Sequence, residues 1–326
     1  MKVCILGAGA IGGFIGTRLA ARGQAKVSAL ARGATLDALR RHGWRLQQGG
    51  ESIQAPCAAV SADAAELGVQ DLVVIAVKGP ALTQVARGIA PLIGPQTVVL
   101  PAMNGVPWWF GHGVAALGDA PLEAVDPGGI VGAAIPFETV LGCVVHAAAF
   151  TSEPGLVVHK MGAGLIVGEP AGGASARVDT VAALLREAGF DVTASADVRR
   201  DVWYKLWGNL TMNPVSAITG ATADRVLADP LVRAFCSQAM GEAAAIGALV
   251  GCPIGQTPED RHAITARLGA FKTSMLQDVE AGRPVELDAI VGAVRELGQR
   301  LGQPTPAIDA LFGLARLFAR ERGLYQ

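Results

Sequence analysis

A lysine and two asparagines recur at intervals of four residues in the segment DVWYKLWGNLTMNP, at Lys205, Asn209 and Asn213. On a helix this spacing places an ammonium group and two amides along one face, among tryptophan, leucine and methionine side chains. Such polar groups need hydrogen-bond partners, and a substrate could supply them. The alternative is an ordinary amphipathic helix with a solvated polar face. Lysine is otherwise scarce, with further copies only at positions 2, 26, 78, 160 and 272.

The first sixteen residues, MKVCILGAGAIGGFIG, predict a strand, a glycine loop and the opening turn of a helix. Gly7 suits a tight turn, Gly9 lets the backbone approach a pyrophosphate, and Gly12 allows close packing of helix on strand. The exposed amides at the helix start would hold the pyrophosphate. The predicted dinucleotide-binding residues of this loop are Gly7, Ala8, Gly9, Ala10, Ile11 and Gly12.

The second predicted strand, KVSALAR, ends without the acidic residue that binds the ribose hydroxyls of NAD. Arg32 stands there instead, and a guanidinium suits the 2′-phosphate of NADPH. A solvated surface arginine is the alternative. The missing carboxylate is independent support for NADP(H) as the cofactor.

Short β-branched runs alternate with helix-length stretches in the first part of the chain, which predicts a parallel sheet covered by helices. From about residue 196 onward the periodicity becomes helical. The predicted fold class is therefore α/β, with a Rossmann-type domain over residues 1–196 and a mainly helical domain over 197–326. The Gly/Pro-rich stretch 122–142 is expected to be a loop of the first domain. The predicted strands cover 2–7, 26–32, 71–78, 97–105, 143–150, 164–169 and 190–195, with a helix at 174–189.

A formal net charge of −1 provides no excess positive potential for nucleic acid or an anionic membrane. The apolar runs are too short to span a bilayer, and no targeting signal precedes the first strand, so a cytoplasmic protein is expected. The five cysteines form no CxxC pair, and the five histidines lack ligand spacing, so no metal is predicted. A small molecule is the expected partner.

Five elements together resemble the ketopantoate reductase (2-dehydropantoate 2-reductase) family. They are GAGAIGG at the N-terminus, VK at 77–78, NG at 104–105, KLxxNxxxNP at 205–214, and SMLQD…E from 274 to 286. The resemblance runs nearly end to end, and KLxxNxxxNP is its most specific part.

In that family the lysine matching Lys205 is the general acid, which polarises the 2-keto oxygen and protonates the alkoxide. An ammonium near the carbonyl is chemically suited to this role, because it stabilises charge that develops in the transition state. The glutamate matching Glu286 contacts the substrate and helps to orient the lysine. A first-turn helix carboxylate favoured by the helix dipole is the alternative for Glu286.

The resemblance also implies that Asn209 and Asn213 hold substrate hydroxyl or carbonyl groups and that Ser274 binds the substrate carboxylate. Lys78 and Asn104 follow two parallel strands and would reach the cofactor, with Asn104 also reaching the substrate. A surface lysine and an ordinary NG turn are the alternatives for these two residues.

The chain departs from the family pattern at two positions on the substrate side. Family members commonly carry asparagine where this chain has Phe271 and Ala223. Replacing two amides by apolar groups removes hydrogen bonds to a polar substrate and indicates a more apolar pocket. A 2-keto acid with a bulkier side chain is therefore an alternative substrate.

The sequence predicts an NADPH-dependent reductase of a 2-keto acid, namely 2-dehydropantoate (ketopantoate) to pantoate in pantothenate biosynthesis, with its site in the cleft between the two domains. The alternatives are a reductase of a more apolar 2-keto acid, a non-catalytic NADPH-binding sensor, and a 3-hydroxyacid or sugar-acid dehydrogenase. Such families often form dimers, so a homodimer is a further implication of the resemblance.

Overall fold

The computed structural model describes residues 1–325, and these divide into two compact units. The first unit comprises residues 1–103 and 130–201, and the second comprises residues 104–129 and the chain from 202 onward. The sequence predicted a single boundary near residue 196. The observed division differs because the segment 104–129 groups with the second unit.

The first unit contains ten strands and five helices. The strands are β1 (Lys2–Leu6), β2 (Lys26–Leu30), β3 (Trp44–Gln48), β4 (Glu51–Ala55), β5 (Val60–Ser61), β6 (Leu72–Ile75), β7 (Val98–Pro101), β8 (Gly142–Glu153), β9 (Leu156–Gly168) and β10 (Asp191–Ser195). The helices are α1 (Ala10–Ala21), α2 (Gly33–His42), α3 (Gly79–Ala86), α4 (Ile130–Ala134) and α5 (Ala176–Glu187).

Five parallel strands form the main sheet in the order β5–β2–β1–β6–β7. Val3 of β1 pairs with Val27 on one side and with Leu72 on the other. The four residues of β6 are all buried, as expected for a parallel strand covered on both faces. The predicted Rossmann-type parallel sheet is confirmed. Its strand order reverses between β1 and β6, and open α/β sheets bind ligands at such a point.

A second sheet has the order β10–β9–β3–β4, with β8 paired antiparallel to β9. The β3–β4 hairpin, whose turn is Gly49-Gly50, was not predicted, and the predicted strands cover only parts of the long β8–β9 hairpin. The predicted loop over 122–142 is wrong, because this stretch contains α4 and two 3₁₀ turns, Pro127–Gly129 and Phe137–Thr139. The core of the unit packs around Phe14 and Trp44.

The second unit is mainly helical, as predicted. Its helices are α6 (Val198–Thr219), which begins at the end of the first unit, α7 (Ala223–Ala228), α8 (Pro230–Leu249), α9 (Pro258–Ala266), α10 (Ser274–Glu280), α11 (Ala293–Arg300) and α12 (Pro306–Arg320). A π-helical turn, Asp288–Gly292, leads into α11. Among residues 1–325, no helix has the length and apolar character needed to cross a membrane.

The segment 104–129 is fastened to α11 by hydrogen bonds. The carboxylate of Glu296 accepts from the backbone amides of Glu123 and Ala124, at 2.9 and 2.8 Å. Arg300 donates to the carbonyl oxygen of Ala120 at 2.9 Å. These bonds explain why the segment belongs to the helical unit although it lies far earlier in the chain.

Candidate active site

The predicted glycine loop joins β1 to α1, and its geometry requires glycine at two positions. Gly7 has a φ of +87°, and a Cβ there would lie 2.7 Å from Cγ1 of Val77. A Cβ at Gly12 would lie 2.1 Å from the carbonyl oxygen of Gly7. Gly9 is different, because no chain atom lies within 4 Å of the position of a Cβ. Its open surroundings leave room for a ligand against the backbone.

The start of α1 is arranged to accept an anion. Gly9 is the N-cap residue, no side chain caps the helix, and its first turn contains no acidic residue. Ala10 and Ile11 lie in that first turn, half-buried, while Ala8 is buried beside it. The N–H groups and positive dipole of such a helix start favour a phosphate.

A cavity of about 430 Å³ opens beside the glycine loop within the first unit. It lies at the carboxyl ends of β1, β2, β5 and β6, where open α/β sheets bind ligands. Its size is in the range of small-molecule and cofactor sites. The lining residues are Leu6, Gly7, Ala8, Gly9, Leu30, Ala31, Arg32, Thr35, Ala62, Asp63, Ala64, Val77, Ala81, Gln84, Val85 and Gly88.

Arg32 lines this cavity with an exposed side chain that makes no ion pair within the described residues. Thr35, Asp63 and Gln84 also line the cavity and were not predicted from the sequence. The Asp63 carboxylate accepts a 2.9 Å hydrogen bond from the amide of Ala65 and so caps a short 3₁₀ turn. Asp63 could have been predicted from its position just after a strand. That strand, β5, is only two residues long and is not recognisable in the sequence.

Lys78 lies three residues after the end of β6 and is the N-cap residue of α3. Its side chain is half-buried. Because Val77 lies against Gly7, the chain brings Lys78 to the same edge of the sheet as the glycine loop. Four of the predicted cofactor-binding elements (the glycine loop, the start of α1, Arg32 and Lys78) thus lie at one edge of the parallel sheet.

Lys205, Asn209 and Asn213 lie along α6 in the second unit, as their spacing predicted. Lys205 and Asn209 are half-buried, whereas Asn213 is only 5% exposed. The side-chain amides of Asn209 and Asn213 make no hydrogen bond within residues 1–325. A buried amide in this state is a group that a bound polar molecule can satisfy.

Lys205 is joined to Asn104, the first residue of the segment 104–129. The ammonium nitrogen Nζ donates a 2.8 Å hydrogen bond to Oδ1 of Asn104. The next residue, Gly105, has a φ of +86°, and a Cβ there would lie 2.5 Å from the carbonyl oxygen of Ala289. The amide of Val106 donates to that same oxygen at 2.8 Å. The NG pair is therefore a packed turn that presents an acceptor to the lysine.

Glu286 lies three residues before Ala289, so the turn at Asn104 and the Glu286 segment are close to each other. The Glu286 side chain is half-buried. The C-terminal residues hold the segment on both sides of it: Leu324 O accepts from the Val285 amide at 3.1 Å, and the Tyr325 hydroxyl donates to Asp288 Oδ1 at 2.6 Å. Burial raises the pKa of Asp288 above its ordinary value.

Two domain models of one enzyme family match the chain. The model described as ketopantoate reductase PanE/ApbA matches residues 3–172, and the model of the C-terminal domain of the same reductase matches residues 197–319. The chain belongs to the ketopantoate reductase family. The family domains thus cover both the glycine loop and the helix that carries Lys205.

Curated and solved relatives agree with this membership. A 2-dehydropantoate 2-reductase from Mesorhizobium japonicum is 46% identical over 328 residues, covering 100% of both chains. A structure from Ralstonia solanacearum, assigned as a ketopantoate reductase, is 56% identical with a TM-score of 0.95 and covers 99% of each chain. D-mandelate dehydrogenase, solved with NADH and anilino(oxo)acetate, shares the fold at 21% identity, with a TM-score of 0.85 and coverage of 99% and 100%.

The two departures from the ketopantoate reductase pattern are neighbours in the structure. The amide of Ala223 donates a 2.9 Å hydrogen bond to the carbonyl oxygen of Phe271. Both residues pack with Met212 and Val215 of α6 in one apolar cluster. The loss of one asparagine is therefore matched by the loss of the other in the same place.

Ser274 is the first residue of α10, where Thr273 is the N-cap and accepts from the amide of Leu276. Ser274 is exposed, and its hydroxyl makes no hydrogen bond within the described chain. A hydroxyl at a helix start, beside unsatisfied amides, is suited to an anionic group.

Proposed function

We propose that this protein reduces 2-dehydropantoate to pantoate with NADPH, the reductive step that pantothenate biosynthesis requires. The observation that carries the proposal is the hydrogen bond between Lys205 and Asn104 on the half-buried face of α6, in a chain of the ketopantoate reductase family. A different 2-keto acid and a non-catalytic sensor are less favoured. The relatives carry the reductase name, and a sensor needs no positioned proton donor.

The first unit has the features that a dinucleotide needs. Gly9 leaves open space against the backbone, the start of α1 is uncapped, and the cavity beside them extends to Arg32. We assign pyrophosphate binding to the glycine loop and 2′-phosphate binding to Arg32, with Lys78 also facing the cofactor. When bound, NADPH supplies the hydride that reduces the keto carbon.

The residues of the second unit supply the rest of the reaction. Lys205 holds a proton at Nζ, polarises the 2-keto oxygen and donates the proton as negative charge develops there. Asn104 fixes the position of that nitrogen through its Oδ1. In this proposal residues 1–196 bind the cofactor, while residues 197–326 together with Asn104 bind the substrate.

Four further side chains hold the substrate in this proposal. Asn209 and Asn213 offer amides without protein partners to its hydroxyl and carbonyl groups, and Ser274 offers a hydroxyl to its carboxylate. Glu286 contacts the substrate and helps to orient Lys205. The apolar pair Phe271 and Ala223 lies against hydrocarbon groups of the substrate.

Lys205→Ala tests the proposal. The expected result is a fall in kcat of roughly 10²- to 10⁴-fold, the usual contribution of a positioned acid, with the affinity for NADPH nearly unchanged. Turnover is followed by NADPH oxidation, and affinity by fluorescence titration. Lys160→Ala, which removes an exposed lysine of the first unit, is the matched control and should leave both values unchanged. Retained turnover in Lys205→Ala would overturn the assignment of the acid.

A further inference from the structure

An arginine occupies the space of a missing side chain on the helix that carries Lys205. Gly208 lies inside α6, where glycine is less favourable than alanine. A Cβ at Gly208 would lie 2.6 Å from Nε, 2.7 Å from Nη2 and 3.0 Å from Cζ of Arg261. The guanidinium of Arg261 therefore rests on the bare backbone of α6, and a side chain at position 208 would displace it.

Tyr204 holds this guanidinium from the side. The Cζ atom of Arg261 lies 4.7 Å from the centre of the Tyr204 ring, a cation–π distance. The Tyr204 hydroxyl donates a 2.8 Å hydrogen bond to Oε1 of Gln256, which fixes the ring in turn. The guanidinium is thus preorganised, and little side-chain freedom remains to be lost when it binds a ligand.

Arg261 has no acidic partner within residues 1–325, although two carboxylates precede it on α9. The Glu259 carboxylate is bound by Arg233 and Ser237, and that of Asp260 by Thr257 in the helix cap. The Nε atom of Arg261 is buried and makes no hydrogen bond. A half-buried guanidinium held in place without a counter-ion is ready to receive an anion.

The position of Arg261 relates it to the proposed proton donor. Between positions 203 and 210 of α6 the accessible residues form one face, and the opposite face is buried. The accessible residues are Tyr204, Lys205, Gly208 and Asn209, and the buried ones are Trp203, Leu206, Trp207 and Leu210. Arg261 covers Gly208, one helical turn from Lys205 on this same face.

We propose that Arg261 binds the carboxylate of the 2-keto acid and so determines the specificity of the enzyme for acids. This inference rests on the proposed function, because it assumes that the substrate lies against the face that carries Lys205. A 2-keto acid has its carboxylate directly beside the carbonyl carbon, so two cations one turn apart match its two oxygen-bearing groups. The Ser274 hydroxyl supplies hydrogen bonding to the carboxylate but no charge, and the guanidinium supplies the charge.

Arg261→Gln is the first test, with Arg267→Gln as the matched control on the same helix. Losing a hydrogen bond to a charged group should raise the KM for 2-dehydropantoate roughly 10- to 100-fold, with kcat changed far less. Arg267 is exposed at the end of α9, and its replacement should leave KM unchanged. Melting temperatures of both variants report whether they fold.

An analogue in which a carboxamide replaces the carboxylate of the substrate tests whether Arg261 binds the carboxylate or only supports the structure. The wild-type protein should prefer the 2-keto acid to its carboxamide, and Arg261→Gln should lose most of that preference. A structural defect would weaken the binding of both compounds by the same factor.

Gly208→Ala provides a second variant, which keeps Arg261 but fills the space against α6 that its guanidinium occupies. It should raise KM in the wild-type background and add little in the Arg261→Gln background, since the two changes act through one group. If Arg261→Gln fails to fold, the KM values of Gly208→Ala and Arg261→Lys test the role of Arg261 instead.

The outcomes distinguish the two proposals. If the wild-type protein reduces no 2-keto acid, the proposed function fails and the role of Arg261 fails with it. If the wild-type protein is active while the Arg261 and Gly208 variants keep its KM and its acid-to-amide preference, only the role of Arg261 is wrong.

Discussion

Lys205 Nζ donates a 2.8 Å hydrogen bond to Asn104 Oδ1, although the two residues are 101 positions apart in the chain. Asn104 is itself fixed, because the following residues pack against Ala289 through Gly105 and the amide of Val106. The proposed proton donor is thus held in position before a substrate arrives. Preorganised donors of this kind stabilise the transition state without a cost of reorganisation.

Asn104→Ala is therefore expected to lower kcat by roughly 10- to 100-fold, the scale of one lost hydrogen bond to a charged group. The melting temperature and the NADPH affinity are measured in parallel. A large loss of NADPH affinity with kcat unchanged would instead assign Asn104 to the cofactor.

Asn104→Asp offers a second measurement at the same position. A carboxylate beside Lys205 favours the ammonium form and should raise the pKa of the lysine. The basic limb of the kcat–pH profile should then move to higher pH. An unmoved limb would mean that Lys205 is not the group that titrates in that limb.

Arg32→Ala should weaken NADPH binding roughly 10- to 100-fold and leave NADH binding nearly unchanged, because only NADPH carries the 2′-phosphate. The KM values of both cofactors are compared in one assay. Arg40→Ala, at an exposed position on the same helix, is the control. A wild-type preference for NADH would contradict the role given to Arg32.

The glycine loop allows a paired prediction. A Cβ at Gly9 meets no chain atom within 4 Å, so Gly9→Ala should fold with an unchanged melting temperature but bind NADPH poorly. A Cβ at Gly12 would lie 2.1 Å from the Gly7 carbonyl oxygen, so Gly12→Ala should destabilise the first unit by about 1–3 kcal/mol. Calorimetry and cofactor titration check the two variants. Equal losses of stability would contradict the difference in their surroundings.

Asp288 gives a prediction of pH dependence. Burial raises its pKa in the folded state, while the nearby Arg316 and Arg320 and the Tyr325 hydroxyl partly offset that effect. A group with a raised folded-state pKa stabilises the fold below its unfolded pKa, near pH 4, and that contribution is lost as the pH rises through the folded-state value.

Asp288→Asn keeps an oxygen acceptor for Tyr325 and removes the buried charge. Its melting temperature should exceed that of the wild-type protein at pH 7, and the difference should disappear near pH 4. Asp119→Asn, an exposed carboxylate, is the control. A lower melting temperature at pH 7 would show that the ionised Asp288–Tyr325 bond is itself stabilising.

Local patterns in the sequence predicted the local features. The glycine loop depends on spacing within six residues, and the polar face of α6 depends on a period of four, so both were found from the residues alone. The Gly49-Gly50 pair is typical of a hairpin turn. No hairpin was predicted there, because the two flanking segments are polar and do not resemble strands.

Features that depend on long-range packing were not predicted from spacing. Asn104 was a candidate only by family resemblance, since no spacing rule links it to Lys205. The contact of Arg261 with Gly208 joins residues of two helices, α9 and α6. Nothing in the sequence pattern indicates a function for Gly208. Thr35, Asp63 and Gln84 lie on three separate segments of the chain, and only the folded first unit brings them to one cavity.

The membership of residues 104–129 in the helical unit has a consequence for recombination among relatives. An exchange of residues 197–326 alone would transfer Lys205 but leave its Asn104 partner behind, together with the backbone amides that bind Glu296. A chimera made at that boundary would pair Lys205 with a residue 104 from another protein. Two further crossovers, on either side of residues 104–129, would transfer Asn104 together with Lys205.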